Sequence, residues 1–170
     1  MSLQQAKRLA ELREEIGVAS DKMKAVHTGF RKKINEEVIG GFANYLSENG
    51  FEVTKSAYGA SAVYKDLKVG LVLAKPEDVY MGVYHSFELV VKEKKHDVFV
   101  VASFADMPGQ PAVRSGDAVQ ILEQDLETLN KSLNAQLNSY KFDCAPRVGN
   151  QRVQPIMKDT IAEVIDVFLK

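Results

Sequence analysis

The stretch LAELREEIGVASDKMKAVHTGF, residues 9–30, constrains this chain more than any other. Leu9, Leu12, Ile16, Ala19, Met23, Val26 and Phe30 follow one another at alternating spacings of three and four. Apolar residues at that average interval of 3.5 form a narrow seam along one side of an α-helix, the pattern of a helix that pairs with another helix. Such a seam has to be covered, by another part of this chain or by another copy of it.

Beyond Phe30 the pattern widens. Ile34, Val38, Phe42 and Leu46 continue at intervals of four, with Ile39 and Tyr45 beside them. A wide apolar stripe suits packing on a globular core rather than on a single helix. Ser2 and Gln5 stand in capping-box spacing at the start, and Asn49-Gly50 supplies a stop. Gly17 and Thr28-Gly29 are candidate breaks, but the heptad phase passes through Gly17 without a slip, which favours one continuous helix. Its length would be about 70 Å at 1.5 Å per residue. The chain therefore reads as a single domain, 1–170, in which a heptad-patterned segment at 1–30 reaches beyond a globular body at 31–170.

Residues 51–105 read as strands: Phe51–Ala57, Ala60–Lys65, Lys68–Ala74, Tyr80–Lys92 and Asp97–Phe104. They are rich in Val, Tyr and Phe. The gaps between them are too short for crossover helices, so neighbours must run antiparallel, as a meander. After a loop with two prolines and two glycines, Ser115 is the expected N-cap of a second long helix reaching Tyr140. Val119, Leu122, Leu126, Leu129, Leu133 and Tyr140 fall in heptad register there, with Gln136 in the remaining seam position. Pro155 fits the first turn of a short last helix with Ile161, Val164, Ile165, Phe168 and Leu169 on its apolar face. The predicted fold class is α+β: a long N-terminal helix, an antiparallel sheet of about five strands, a long heptad helix and a short C-terminal helix.

With 170 residues, 45% of them hydrophobic, the chain can bury a real core. Its net charge is −1, and no region carries a strong sign, which argues against nucleic acid as a partner. Arg31, Lys32 and Lys33, with the Lys92–His96 turn, form the only basic candidates. Glu36 and Glu37 follow the first cluster by about one turn, so it reads as an exposed helix face with local ion pairs. The single cysteine, Cys144, excludes an intrachain disulfide and has no histidine beside it in sequence to activate it. No apolar run approaches a membrane span. The opening is a charged helix rather than a basic segment followed by an apolar one, which predicts no signal peptide and a cytoplasmic protein.

Candidate chemistry is sparse. In the strand Tyr80–Lys92, alternation puts His85 among Met81, Val83, Phe87, Leu89 and Val91. A histidine on an apolar face is either a buried base or ligand with a shifted pKa, or a core residue hydrogen-bonded to a neighbour. The opposite face carries Tyr84, Ser86 and Glu88, which suits a flat ligand or a partner, or simply solvent. Asp78, Glu93 and Lys95 imitate the carboxylate and Glu-x-Lys spacing of metal-dependent nucleases, but Glu93 and Lys95 fall in a predicted turn, where they would splay into solvent. His27, His85 and His96 lack ligand spacing, and Glu123, Asp125 and Glu127 do not converge on one helix face. No catalytic residue, metal site or cofactor is assigned. The leading expectation is a non-enzymatic homo-oligomer that pairs through Leu9, Leu12, Ile16, Met23 and Val26 and offers its sheet to a protein partner. The rival is a small-ligand or enzymatic pocket between sheet and helix near His85, with Tyr84 and Glu88.

Overall fold

One helix, α1 (Leu3–Glu48), runs unbroken through Gly17 and Thr28-Gly29 in the computed structural model, which describes residues 2–79, 82–109, 113–146 and 153–170. Its start is the expected capping box. The Ser2 amide donates to the Gln5 side chain at 2.9 Å, and the Gln5 amide donates to the Ser2 hydroxyl at 3.2 Å. Its end depends on Gly50, whose φ of +83° is a left-handed conformation that only glycine adopts without steric cost. That reversal lets the Gly50 amide donate to the Ser47 carbonyl and the Phe51 amide to the Leu46 carbonyl, satisfying two of the last unpaired acceptors.

Five strands follow as an antiparallel meander: β1 (Glu52–Ser56), β2 (Gly59–Tyr64), β3 (Leu67–Leu73), β4 (His85–Val91) and β5 (Lys94–Ala105). The expected strand Tyr80–Lys92 is shorter, beginning at His85; Tyr80 and Met81 lie outside the described residues. The fifth strand begins three residues earlier than expected. The β4–β5 reversal needs only Lys92 and Glu93, with φ of +49° and +67°, so the segment from Lys94 is free to pair. Two positive-φ residues in a two-residue loop match the right-handed twist of the flanking strands.

The sheet has seven strands rather than about five, in the order β1 to β7. The two additional strands come from segments expected to be helical. Helix α2 (Ala118–Ser132) ends well before Tyr140, and β6 (Gln136–Asp143) takes up the rest. Leu133, Gln136 and Tyr140 therefore do not continue a helical heptad. Tyr140 and Phe142, two apart, share one side of the strand with ring centroids 5.6 Å apart, and Phe142 packs edge-on against Phe87 of β4 at 5.6 Å. Burying Phe142 in that cluster outweighs the heptad pattern, since tertiary packing overrides local propensity. The N-cap of α2 is Asp117, not Ser115. Its carboxylate accepts from the Val119 and Gln120 amides at 3.0 Å, and the Gln120 side chain returns a bond to the Asp117 amide.

Pro155 does not start the last helix. Met157–Lys158 forms β7 against Phe142 and Asp143, and α3 (Ile161–Leu169) begins at a Thr160/Glu163 capping box. Residues 110–112 and 147–152 of the two long loops lie outside the described residues.

The chain forms two compact units. One comprises residues 1–29 and 104–138, the other 30–103 and 139–170. Their division falls where the apolar stripe of α1 widens. In the second unit Ile34, Val38, Phe42 and Leu46 of α1 are buried, together with the inner sheet face. That face reads across the strands as Ala60–Leu71–Leu89–His96 and Ala62–Val69–Val91. The α3 helix covers the same face. Phe168 stacks on His96 at 4.2 Å, the Tyr45 hydroxyl bonds Asp166, and Ile161 approaches Gly41 so closely that a Cβ there would collide with it. The outer sheet face carries Ser61, Val72, Glu88, Val90, Lys95, Phe99 and Val101, with Val72 and Val101 half exposed at 53% and 51%.

Candidate functional site

His85 is 1% exposed on the inner sheet face, where alternation placed it. Its Nε2 lies 2.7 Å from the Asn35 side-chain oxygen, and the Asn35 amide nitrogen donates to the Ala74 carbonyl at 3.0 Å. With the Asn35 oxygen as acceptor, the imidazole carries its proton on Nε2. Nδ1 is then a bare lone pair, buried and without a hydrogen-bond partner. Burial, reinforced by the Arg31 charge and opposed by Asp78, lowers the His85 pKa from 6.5 to about 4. The ring is neutral at physiological pH.

Arg31 sits one turn before Asn35 and is also buried. Its Nε donates to the Tyr84 carbonyl at 3.0 Å, one terminal nitrogen donates to the Pro76 carbonyl at 3.3 Å, and the guanidinium lies 4.9 Å from the centre of the Tyr84 ring. Carbonyl dipoles and an aromatic face thus hold this cation. Arg31 and Asn35 together pin the 74–84 segment to α1.

The three residues singled out from the β4 sequence are accordingly not brought together. His85 faces the helix, Tyr84 lies beneath Arg31, and Glu88 is on the outer face in an ion pair with Lys95 at 3.3 Å. The basic cluster divides too. Arg31 points inward, while Lys32 and Lys33 stay exposed and Lys33 pairs with Glu37 at 3.9 Å. Sequence reasoning missed Asn35 altogether and misjudged Arg31. The available signal was their spacing of four inside a wide apolar stripe, where two polar residues need buried partners.

The heptad seam is used unevenly. Leu12 is 0% exposed and Leu9 and Ala19 are also buried, whereas Ile16, Met23 and Val26 are half-buried. In this first unit α2 lies beside the N-terminal part of α1, held at its edge by Arg8, which pairs with Glu123 at 3.3 Å and with Glu15 at 3.3 Å. The apolar residues of α2, namely Val119, Ile121, Leu122, Leu126 and Leu129, are only half-buried; Ser132 is its one buried residue. By contrast, the shorter α3 buries Ile161, Val164 and Ile165. A groove of about 430 Å³ runs between α1 and α2, with Val18, Ala19 and Leu126 as apolar lining and Glu11, Glu14, Glu15, Lys22 and Asn130 around them.

Cys144 is buried, and burial together with Asp143 raises its pKa to about 11, so its thiol is an inert packing group. Among the described residues no three acidic, histidine or cysteine side chains gather as a metal site, and no helix is long and apolar enough to cross a membrane. Comparison with protein-family models, with curated proteins and with solved structures finds no match to this chain.

Proposed function

We propose that this is a non-enzymatic, cytoplasmic interaction protein that assembles with a second copy of itself through the helices of its first unit. The observation that carries the reading is the half-open state of α2. Five large apolar side chains on a fifteen-residue helix stay partly exposed, while the nine-residue α3 buries three. Two helices alone cannot enclose a shared apolar seam; helical cores close when three or four helices surround them. The Leu9 and Leu12 part of the seam is then satisfied within each chain, and Ile16, Met23 and Val26 with α2 supply what is left for association. The outer sheet face, with Val72 and Val101, is the surface offered to a different protein.

Amide hydrogen exchange at low and high protein concentration tests this. Peptides from 118–132 should exchange more slowly in the concentrated sample, because association hides α2, while 34–46 should not change. Concentration-independent exchange in α2 would remove the reading.

A small-ligand reading draws on one observation, the buried, unpartnered Nδ1 of His85. Nitrogen-15 shifts of that ring that stay unchanged across a metal and metabolite screen would dismiss it.

A further inference from the structure

We propose that two copies pair through an exposed stripe of α1, antiparallel, about a two-fold axis at Val18. This rests on the reading of the first unit as an association surface, but it places the contact on the Val18 side of α1 instead of on the side of Ile16 and Met23, which lie roughly 140–160° around the helix. At 100° per residue, Lys7, Glu11, Glu14, Val18, Lys22, Ala25 and Gly29 fall within a narrow band on one side of the helix. Every one of them is exposed, and Val18 is 52% exposed in the middle of a charged helix.

One pair of charges on this band is antisymmetric about Val18, while Lys7 and Glu11 have the neutral Gly29 and Ala25 at the mirrored positions. Glu14 precedes it by four residues and Lys22 follows it by four. In an antiparallel pair centred on Val18, each Glu14 meets Lys22 of the second copy, and Val18 meets its own mate. Neither side chain is otherwise engaged. Glu11 and Glu15 are drawn to Arg8, and Lys24 pairs with Asp21, but Glu14 and Lys22 have no ion-pair partner among the described residues.

Steric fit points the same way. In this register Glu11 faces Ala25 and Lys7 faces Gly29, so at these two outer positions a long side chain meets a small one. The Gly29 position is open, with nothing within 4 Å of a Cβ placed there. A two-fold interface is self-complementary by necessity, and here Glu14 with Lys22 meets that condition in charge while Glu11 with Ala25 and Lys7 with Gly29 meet it in size. The α1–α2 groove flanks the axis, so the second helix also covers the half-buried Leu126 of its apolar lining.

The test is a charge swap read by sedimentation equilibrium on the full chain. Glu14→Lys or Lys22→Glu alone places like charges opposite each other twice per dimer. Each should weaken association about 10-fold. The double variant Glu14→Lys/Lys22→Glu restores opposite charges and should return to within about 3-fold of the parent. Both positions are on the surface, and an unchanged helical circular-dichroism signal checks that folding is intact. As a second probe, Val18→Cys in a Cys144→Ala chain should oxidise to a covalent dimer in dilute solution, and Gly17→Cys, turned about 100° away, should not. A parent that dimerises but ignores the charge swap would overturn this geometry while leaving self-association standing. A monomeric parent would overturn both.

Discussion

Acidification should destabilise this protein through one residue, His85. Protonating it puts a charge on a ring that is 1% exposed and lies near the Arg31 cation. The folded pKa is near 4 against an ordinary 6.5. A gap of that size corresponds to about 3 kcal/mol at 1.36 kcal/mol per pH unit. The shift is downward, so below pH 6.5 the unfolded chain binds the proton more readily than the folded one. Stability from this residue is complete above pH 6.5, falls as pH drops toward 4, and levels off below that. Between pH 6.5 and about 5 the loss should reach about 2 kcal/mol. Urea unfolding of the native chain and of His85→Leu at a series of pH values isolates this contribution, because the carboxylates are common to both. The variant should start less stable, since Asn35 loses its partner, and should show a flatter pH dependence. Parallel stability curves would refute the argument that His85 is buried, neutral and close to Arg31.

Other consequences follow from single positions. Leu12→Ala empties a fully buried site in the first unit and should cost about 2–5 kcal/mol in a urea melt. Gly17→Ala should stabilise the chain by about 0.5–1 kcal/mol, because α1 passes through Gly17 and a Cβ there meets nothing within 4 Å. Cys144 should resist an aromatic disulfide reagent until the protein is unfolded; rapid labelling of the native chain would contradict its burial and raised pKa. Removing the exposed Arg8–Glu123 ion pair by Glu123→Gln should leave the melt nearly unchanged, because solvent screens an exposed pair.

The parts of the fold legible in the sequence were those where local and tertiary preferences agree. The α1 helix has a capping box at one end, a left-handed glycine at the other and an apolar stripe throughout, so it runs from Leu3 to Glu48 as read. The five-stranded meander follows from short gaps that permit no other pairing. Legibility failed at 133–143, where a heptad continues in the sequence but Tyr140 and Phe142 are claimed by an aromatic cluster with Phe87. Residue type alone does not separate Ser115 from Asp117 as the cap of α2, since both suit an N-cap; Asp117 takes the position because its carboxylate reaches two amides.

The site was less legible than the fold. Alternation placed His85 inside, yet its partner Asn35 lies fifty residues earlier on a helix read only for its apolar stripe. Tyr84 and Glu88 looked alike because they share the parity opposite to His85. Tyr84 precedes the regular strand, however, and its carbonyl and ring are taken up by Arg31. Val18 stands between the seam residues Ile16 and Ala19 in sequence but turns to another side of the helix, where it is exposed.

The most direct test of the central claim is the solution mass of the intact chain by light scattering across a dilution series. The account predicts a species of twice 18.9 kDa that dissociates on dilution and is lost in Val18→Asp. A particle that keeps the monomer mass at the highest concentration would contradict it.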